Sequence, residues 1–216
     1  MSIQLKRILM SLCGVVVCAV AVGGFKLAAF GVDPFQCVMS GLDQMIPIDF
    51  GTLYVIVNAV LLIFSLVFNR TAVGIATFIN LFLLGYITEF TLGFLQSVFA
   101  APSVLTRVLV LAISIAVICL GSSLYMTAYL GVSTYDAVAI TIAYKWRIGK
   151  FKFIRVITDS ICVVLGILCF RLGGGAWADV PAFVGVGTII TAFFMGPLID
   201  LLNRKVSRPL LGEKTD

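Results

Sequence analysis

Six stretches of this chain are long and apolar enough to cross a lipid bilayer, and that restricts what it can fold into. Ile8 to Ala29 and Leu109 to Leu130 are almost free of charge and each runs past 20 residues. About 20 apolar residues cross the hydrocarbon core as a helix. The six segments lie at about 8–30, 50–68, 72–96, 104–130, 152–172 and 184–202. Composition agrees, with 61 % hydrophobic and 12 % charged residues, against roughly 25 % charged in a soluble domain. A soluble core of this size has no way to bury so much apolar surface. The expected class is an all-α polytopic membrane protein, with the lipid bilayer as its first partner. Lys6-Arg7 ahead of an apolar run has the look of a signal peptide. The run is too long, however, and no clean small-x-small site follows it, so the segment is expected to remain as a span.

Two shorter stretches, about 34–46 and 134–147, follow the first and fourth segments. At 1.5 Å per residue they reach about 20 Å, short of the roughly 30 Å hydrocarbon core. They read as half-helices, re-entrant or interfacial. Each opens on the same pattern. Gly31-Val32-Asp33-Pro34-Phe35 returns one hundred residues later as Gly131-Val132-Ser133-Thr134-Tyr135. Asp33 and Ser133 are N-cap types, and Pro34 suits the first helical position. The correspondence continues with small shifts of offset. Phe50 falls on Phe151 and Asn58 on Asp159. Val73 to Thr77 falls on Val184 to Thr188, Asn80 on Thr191, Gly85 on Gly196 and Glu89 on Asp200. The chain therefore reads as one transmembrane domain, 1–216, made of two three-span repeats, 1–100 and 101–216. Each repeat has one short half-helix after its first span.

Three spans per copy make the second copy enter from the opposite side, an inverted repeat of the kind common in transporters. The net charge of +5 sits at segment ends, where it sets topology rather than binding nucleic acid. Lys6 and Arg7 place the N-terminus in the cytoplasm, with Arg70, the run Lys145, Arg147, Lys150, Lys152 and Arg155, and the tail with Arg204, Lys205 and Arg208. Arg107 and Arg171 fall outside and count against this orientation. If the short helices cross as well, there are eight spans and parallel repeats.

Strongly polar groups within spans are expensive and mark function by default. The candidates are Lys26, Asp33, Gln36, Asn58, Asn80, Glu89, Ser133, Asp136 and Asp159, expected to line a substrate or ion pathway. Each has a plainer reading. Asp33 and Ser133 act as caps, Asp159 pairs with Arg155 four residues earlier, and Glu89 reaches back to the interface. Lys26 either neutralises Asp33 or offers charge to a ligand. Asp200 reads as an interfacial helix end. Gly74-x-x-Thr77 and Gly185-x-Gly187-Thr188 are either close-packing faces or helix starts open to an anion, with packing preferred.

The chain has no histidine, which removes the commonest metal ligand and neutral-pH proton shuttle. Its six cysteines, Cys13, Cys18, Cys37, Cys119, Cys162 and Cys169, form no CxxC pair and read as small apolar packing residues. No nucleophile–base pair, metal cluster or nucleotide fingerprint stands out. An enzyme is not expected, and neither is a cofactor or a metal.

Gly31 to Phe35, Ile48-Asp49-Phe50-Gly51-Thr52, Gly74-Ile75-Ala76-Thr77-Phe78-Ile79-Asn80 and Gly185-Val186-Gly187-Thr188 together resemble the YczE/YitT-type bacterial integral membrane proteins. Ala76 departs from a GxGT pattern that Gly187 keeps, and Thr134 from the Pro before the aromatic. The resemblance implies a multi-pass protein of the bacterial inner membrane and no defined activity. From the residues themselves the leading expectation is a small secondary transporter or channel-like carrier of a small solute or ion. The alternative is a membrane scaffold or regulatory protein whose polar pairs only lock helices together. A polar cavity reaching the midplane favours the first, and a dry packed bundle the second. The sequence identifies neither the substrate nor the oligomeric state.

Overall fold

The structure, a computed structural model, describes residues 2–149 and 151–212. Lys150 and the side chain of Lys152, counted above in the basic run, lie outside the described residues. Every regular element described is helical. Six helices are long and apolar enough to cross a membrane.

The long helices are α1 (Ile3–Ala28), α3 (Phe50–Phe68), α4 (Ile75–Val98), α5 (Val104–Thr127), α7 (Phe151–Leu172) and α9 (Val186–Leu202). Between them come α2 (Pro34–Met45) and α6 (Thr134–Ile140), with the small turns α8 (Val180–Phe183) and α10 (Arg208–Leu211). The ends follow local chemistry. Ser2, Asp33, Asp49, Ser103 and Ser133 each cap a helix N-terminus by accepting from the N–H three residues on. The Thr52 N–H holds the exposed Asp49 carboxyl below its usual range. The stretch expected as one short helix over 134–147 divides. After Ile140 the chain loosens into a π-helical turn, Thr141–Lys145.

Contacts between small residues set the helix directions. Gly14 lies on Gly121 and Gly24 on Ser114, so α1 and α5 are antiparallel. Thr88 bonds the Ala19 carbonyl and Gly23 lies on Thr91, so α1 and α4 are parallel. Gly51 and Tyr54 meet Gly85, Tyr86 and Asn80, so α3 opposes α4. Leu111 touches Gly187 and Thr127 bonds Asn203, so α9 follows α5. Phe170 packs on Phe183, placing the end of α7 beside the start of α9. The six long helices thus alternate in direction. Leu211 packs with Met10, which brings the C-terminal turn to the end that carries the N-terminus.

Neither short helix traverses the bundle. Their first turns meet, with the Phe35 and Tyr135 rings stacked at 5.1 Å. From there α2 runs along α7, Gly41 on Gly166 and Gln44 on Gly173. In the other direction α6 and its π turn run along α3 until Trp146 packs on Phe64 and Phe68. One core, including Val15, Phe25, Leu53, Ile118 and Phe170, fills the space between the long helices. Ile56, Val60, Phe82, Phe90, Leu105, Val164 and Phe193 cover the outside, as lipid contact requires.

Candidate functional site: a polar centre where two short helices begin

Irregular backbone at membrane depth must find its hydrogen bonds within the protein. The two glycine turns do so by exchange. Gly31 and Val32 donate to the Ala182 and Phe183 carbonyls, and Phe30 accepts from Gly187. Val132 donates to the Ala72 carbonyl, and Leu130 accepts from Ala76. Gly31 and Gly131 hold φ of +103° and +107°, left-handed values that glycine takes without strain. A Cβ on Gly31 would fall 2.6 Å from the Gly185 nitrogen. On Gly131 it would fall 2.5 Å from the Gly74 nitrogen. The Gly74 and Gly185 helix starts are therefore packing seats, each closed by its own threonine. The Thr77 and Thr188 hydroxyls accept from the Gly74 and Gly185 N–H groups. They face backbone, with no room for an anion.

These turns deliver two helix starts to one place. The Gln36 N–H donates to Asp33 at 3.2 Å, and the Asp136 N–H to Ser133 at 3.1 Å. Around them lies a connected polar network. Arg155 is ion-paired with Asp136 and, at 3.3 Å, with Asp159. Tyr125 and Ser133 donate to the second Asp136 oxygen at 2.8 and 2.7 Å. Tyr135 donates to Asp159 at 2.5 Å, and its ring lies 4.5 Å from the Arg155 guanidinium carbon. Tyr54 donates to Asn80 and Thr134 to Asn58. Asn58, Asn80, Thr134 and Gln36 are all buried.

Besides a mostly apolar cavity that touches Asp159 between α7 and α9, two cavities among the described residues reach this network. One of about 340 Å³ runs from Asp200, Asn203 and Phe151 at the terminal end of the bundle to Asp33, Asp136, Arg155 and Asp159. A smaller one of about 90 Å³ lies deeper, against Asp33, Gln36, Tyr54, Asn80 and Ser122. Of the nine candidate pathway residues, seven gather here: Asp33, Gln36, Asn58, Asn80, Ser133, Asp136 and Asp159.

Lys26 and Glu89 stand apart. The Lys26 ammonium lies 3.0 Å from the centroid of the Phe50 ring. Asp43 and Glu89 are the carboxylates acting on it, rather than Asp33. Glu89 is exposed and accepts from the Gly51 N–H at 3.2 Å. Asp200 pairs with Arg204 at the exposed end of α9. The six cysteines are free thiols.

Reading the sequence alone counted Arg155 among the topology charges and as the i, i+4 partner of Asp159, which the structure shows at 3.3 Å, but did not list it among the pathway residues. It left out Tyr54 and Tyr125, which carry no charge to betray them. It also missed that Arg7 and Arg107 each lie over an aromatic ring. Arg107 donates to the Ala28 and Ala29 carbonyls at 2.7 and 2.8 Å, and its guanidinium lies over Phe30. The Arg7 guanidinium lies over Tyr129. Arg171 likewise bonds the Gly175 carbonyl and lies over Trp177. Of the two arginines that argued against the orientation, Arg107 is thus bonded to carbonyls at the end of α1, where a cation is favourable, and Arg171 to the loop that follows its own helix.

Fold and polar centre together define a multi-pass α-helical membrane protein with a polar interior site. More narrowly, the chain belongs to DUF6198, a family of unknown function whose model matches residues 5–204. It is similar to an uncharacterized protein of Haemophilus influenzae, 24 % identical over 95 % of this chain and 87 % of the relative. It is 20 % identical to the uncharacterized protein YyaS of Bacillus subtilis, over 93 % and 94 % of the two chains. The uncharacterized membrane protein YczE of the same species is 24 % identical over 83 % and 80 %, in keeping with the YczE-type resemblance. No solved structure matches the chain.

Proposed function

We propose that this protein is a small secondary carrier that takes one small solute or ion at the polar centre and exposes it to the two membrane faces in turn. The observation that carries the reading is the cavity of about 340 Å³ between the terminal end of the bundle and the carboxylates around Arg155. Helix locking does not require open space beside three aspartates. Buried charge in a membrane is costly, about 2.5–3.5 kcal/mol per group on insertion scales, and is retained where it serves a pathway. The chemistry is binding and release, with no bond made or broken.

In this reading residues 1–100 and 101–216 are inverted copies sharing one core. The exchanged turn bonds support it, because Val32 to Phe183 and Val132 to Ala72 are the same bond under the repeat correspondence. The membrane is the bacterial inner membrane, with both termini in the cytoplasm. On this reading the arrangement is similar to a transporter plan in which broken helices begin at the midplane between inverted repeats.

The test is access. Ser122, on the cavity wall, is changed to Cys in a background without native cysteines, and Asn203→Cys near the mouth serves as control. An impermeant methanethiosulfonate is applied to inside-out and right-side-out vesicles. The carrier reading expects both positions to react from the cytoplasmic face. Reaction at 203 with none at 122 from either face would mean a closed bundle and would favour a scaffold.

A further inference from the structure

The deeper cavity has a chemistry of its own. Asp33 lines both cavities. One of its oxygens takes the Gln36 N–H, and no cation among the described residues lies within ion-pair distance of it. Arg155 is committed to Asp136 and Asp159, so the centre holds three carboxylates against one guanidinium. Beside Asp33, Gln36 is 3 % exposed and lines the same cavity, and its Oε1 has no hydrogen-bond partner. A buried acceptor left without a donor is costly. Phe35, Tyr54 and Tyr135 supply aromatic surface on the remaining walls, and aromatic faces attract cations. Tyr135 already holds a guanidinium in this way.

An anion is disfavoured here. The helix start that would attract one is occupied by the Asp33 carboxylate, and Arg155 already faces two carboxylates. What is lacking is a cation that also donates hydrogen bonds. Resting on the carrier reading, we propose that the pocket of Asp33 and Gln36 binds a small primary ammonium group. In this pocket one N–H points to the Asp33 carboxylate, one points to Gln36 Oε1, and the aromatic rings cover the rest. A volume of about 90 Å³ suits a single ammonium head rather than a long polyamine, whose remainder would extend into the larger cavity.

The test is equilibrium binding of radiolabelled methylammonium to the purified full chain in detergent, with thermal unfolding recorded for every variant. Saturable binding is expected, competed by ammonium and not by acetate. Asp33→Asn, which keeps the cap because Asn caps as well as Asp, should weaken it at least tenfold. Gln36→Leu should weaken it about three- to tenfold with an unchanged unfolding temperature. Wild-type affinity in both folded variants would overturn the assignment, as would displacement by acetate. If Ser122→Cys reacts in vesicles but methylammonium does not bind, the ligand class is wrong and the carrier survives. If Ser122→Cys does not react, the carrier itself fails. Nanodiscs with and without phosphatidylethanolamine separate two sources of the group. Loss of methylammonium binding only where that lipid is present would identify the ammonium as a headgroup.

Discussion

Arg155 is the residue on which the centre depends. It faces Asp136 from across the site and Asp159 from its own helix, so its two partners are not equivalent. Asp159 also takes the Tyr135 hydroxyl. Asp159→Asn therefore leaves Arg155 paired with Asp136, and the loss should be about 1.5–3 kcal/mol, that of one charged hydrogen bond. Arg155→Met strands two carboxylates together. Removing one side of a buried pair costs about 3–5 kcal/mol, so this variant should unfold far more readily. Thermal or denaturant unfolding in detergent ranks the two, and equal losses would mean that Asp136 is not the main partner. The sequence showed Arg155 and Asp159 one helical turn apart and singled out Asp136, but not the pairing of Asp136 with Arg155, because that pairing depends on where α6 begins in space.

At the level of elements, the glycine turns and the arginines beside them hold the short helices in place. Gly31→Ala forces a left-handed φ on a residue with a Cβ and drives that atom into the Gly185 helix start. A loss of about 1–2 kcal/mol for the backbone alone follows, and steric overlap adds to it. Gly93, within α4, has open space where its Cβ would go. Gly93→Ala should be neutral or stabilising by up to about 1 kcal/mol. The contrast, read by unfolding temperature, tests whether the turns are seats or slack loops. Arg107→Gln removes donors from the end of α1 and should lower stability by about 1–3 kcal/mol without reversing orientation, which a tagged terminus reports. Much of this level was legible in advance, since a glycine, a cap residue and an aromatic at a hundred-residue interval announce two helix starts. The π turn after Ile140 was not. Helical composition continues through it, and only packing along α3 decides how tightly the chain winds.

For the molecule as a whole, six alternating long helices place the turn at Arg70 and the turn at Ala101 at opposite ends. Arg70→Cys should react with an impermeant thiol reagent only from the face that carries the C-terminus, and Ala101→Cys only from the other. Reaction of both from one face would contradict the alternating arrangement. The spans could be read from charge-free length alone, because a bilayer leaves few alternatives to a helix. Which helices touch could not. The pairing of α2 with α7 depends on small-residue contacts scattered among twenty glycines, that of α6 with α3 on Thr134 against Asn58 and Trp146 against two phenylalanines, and nothing in their spacing names a partner.

The exchange of turns bears on how such a chain can be made. Cys37, in the first turn of α2, donates to the Phe183 carbonyl 146 residues further on, and Gly31 rests on a helix start that is synthesised later still. When α2 leaves the ribosome, neither the seat for its glycine nor the helix it lies along yet exists. Twelve residues are too few to span the bilayer in the meantime. The newly inserted first half must therefore wait, its polar helix start shielded by the insertion machinery or by lipid headgroups, until the last span arrives. Completion of the polar centre is then the final act of biogenesis, and a chain truncated before α9 should be handed to the membrane proteases.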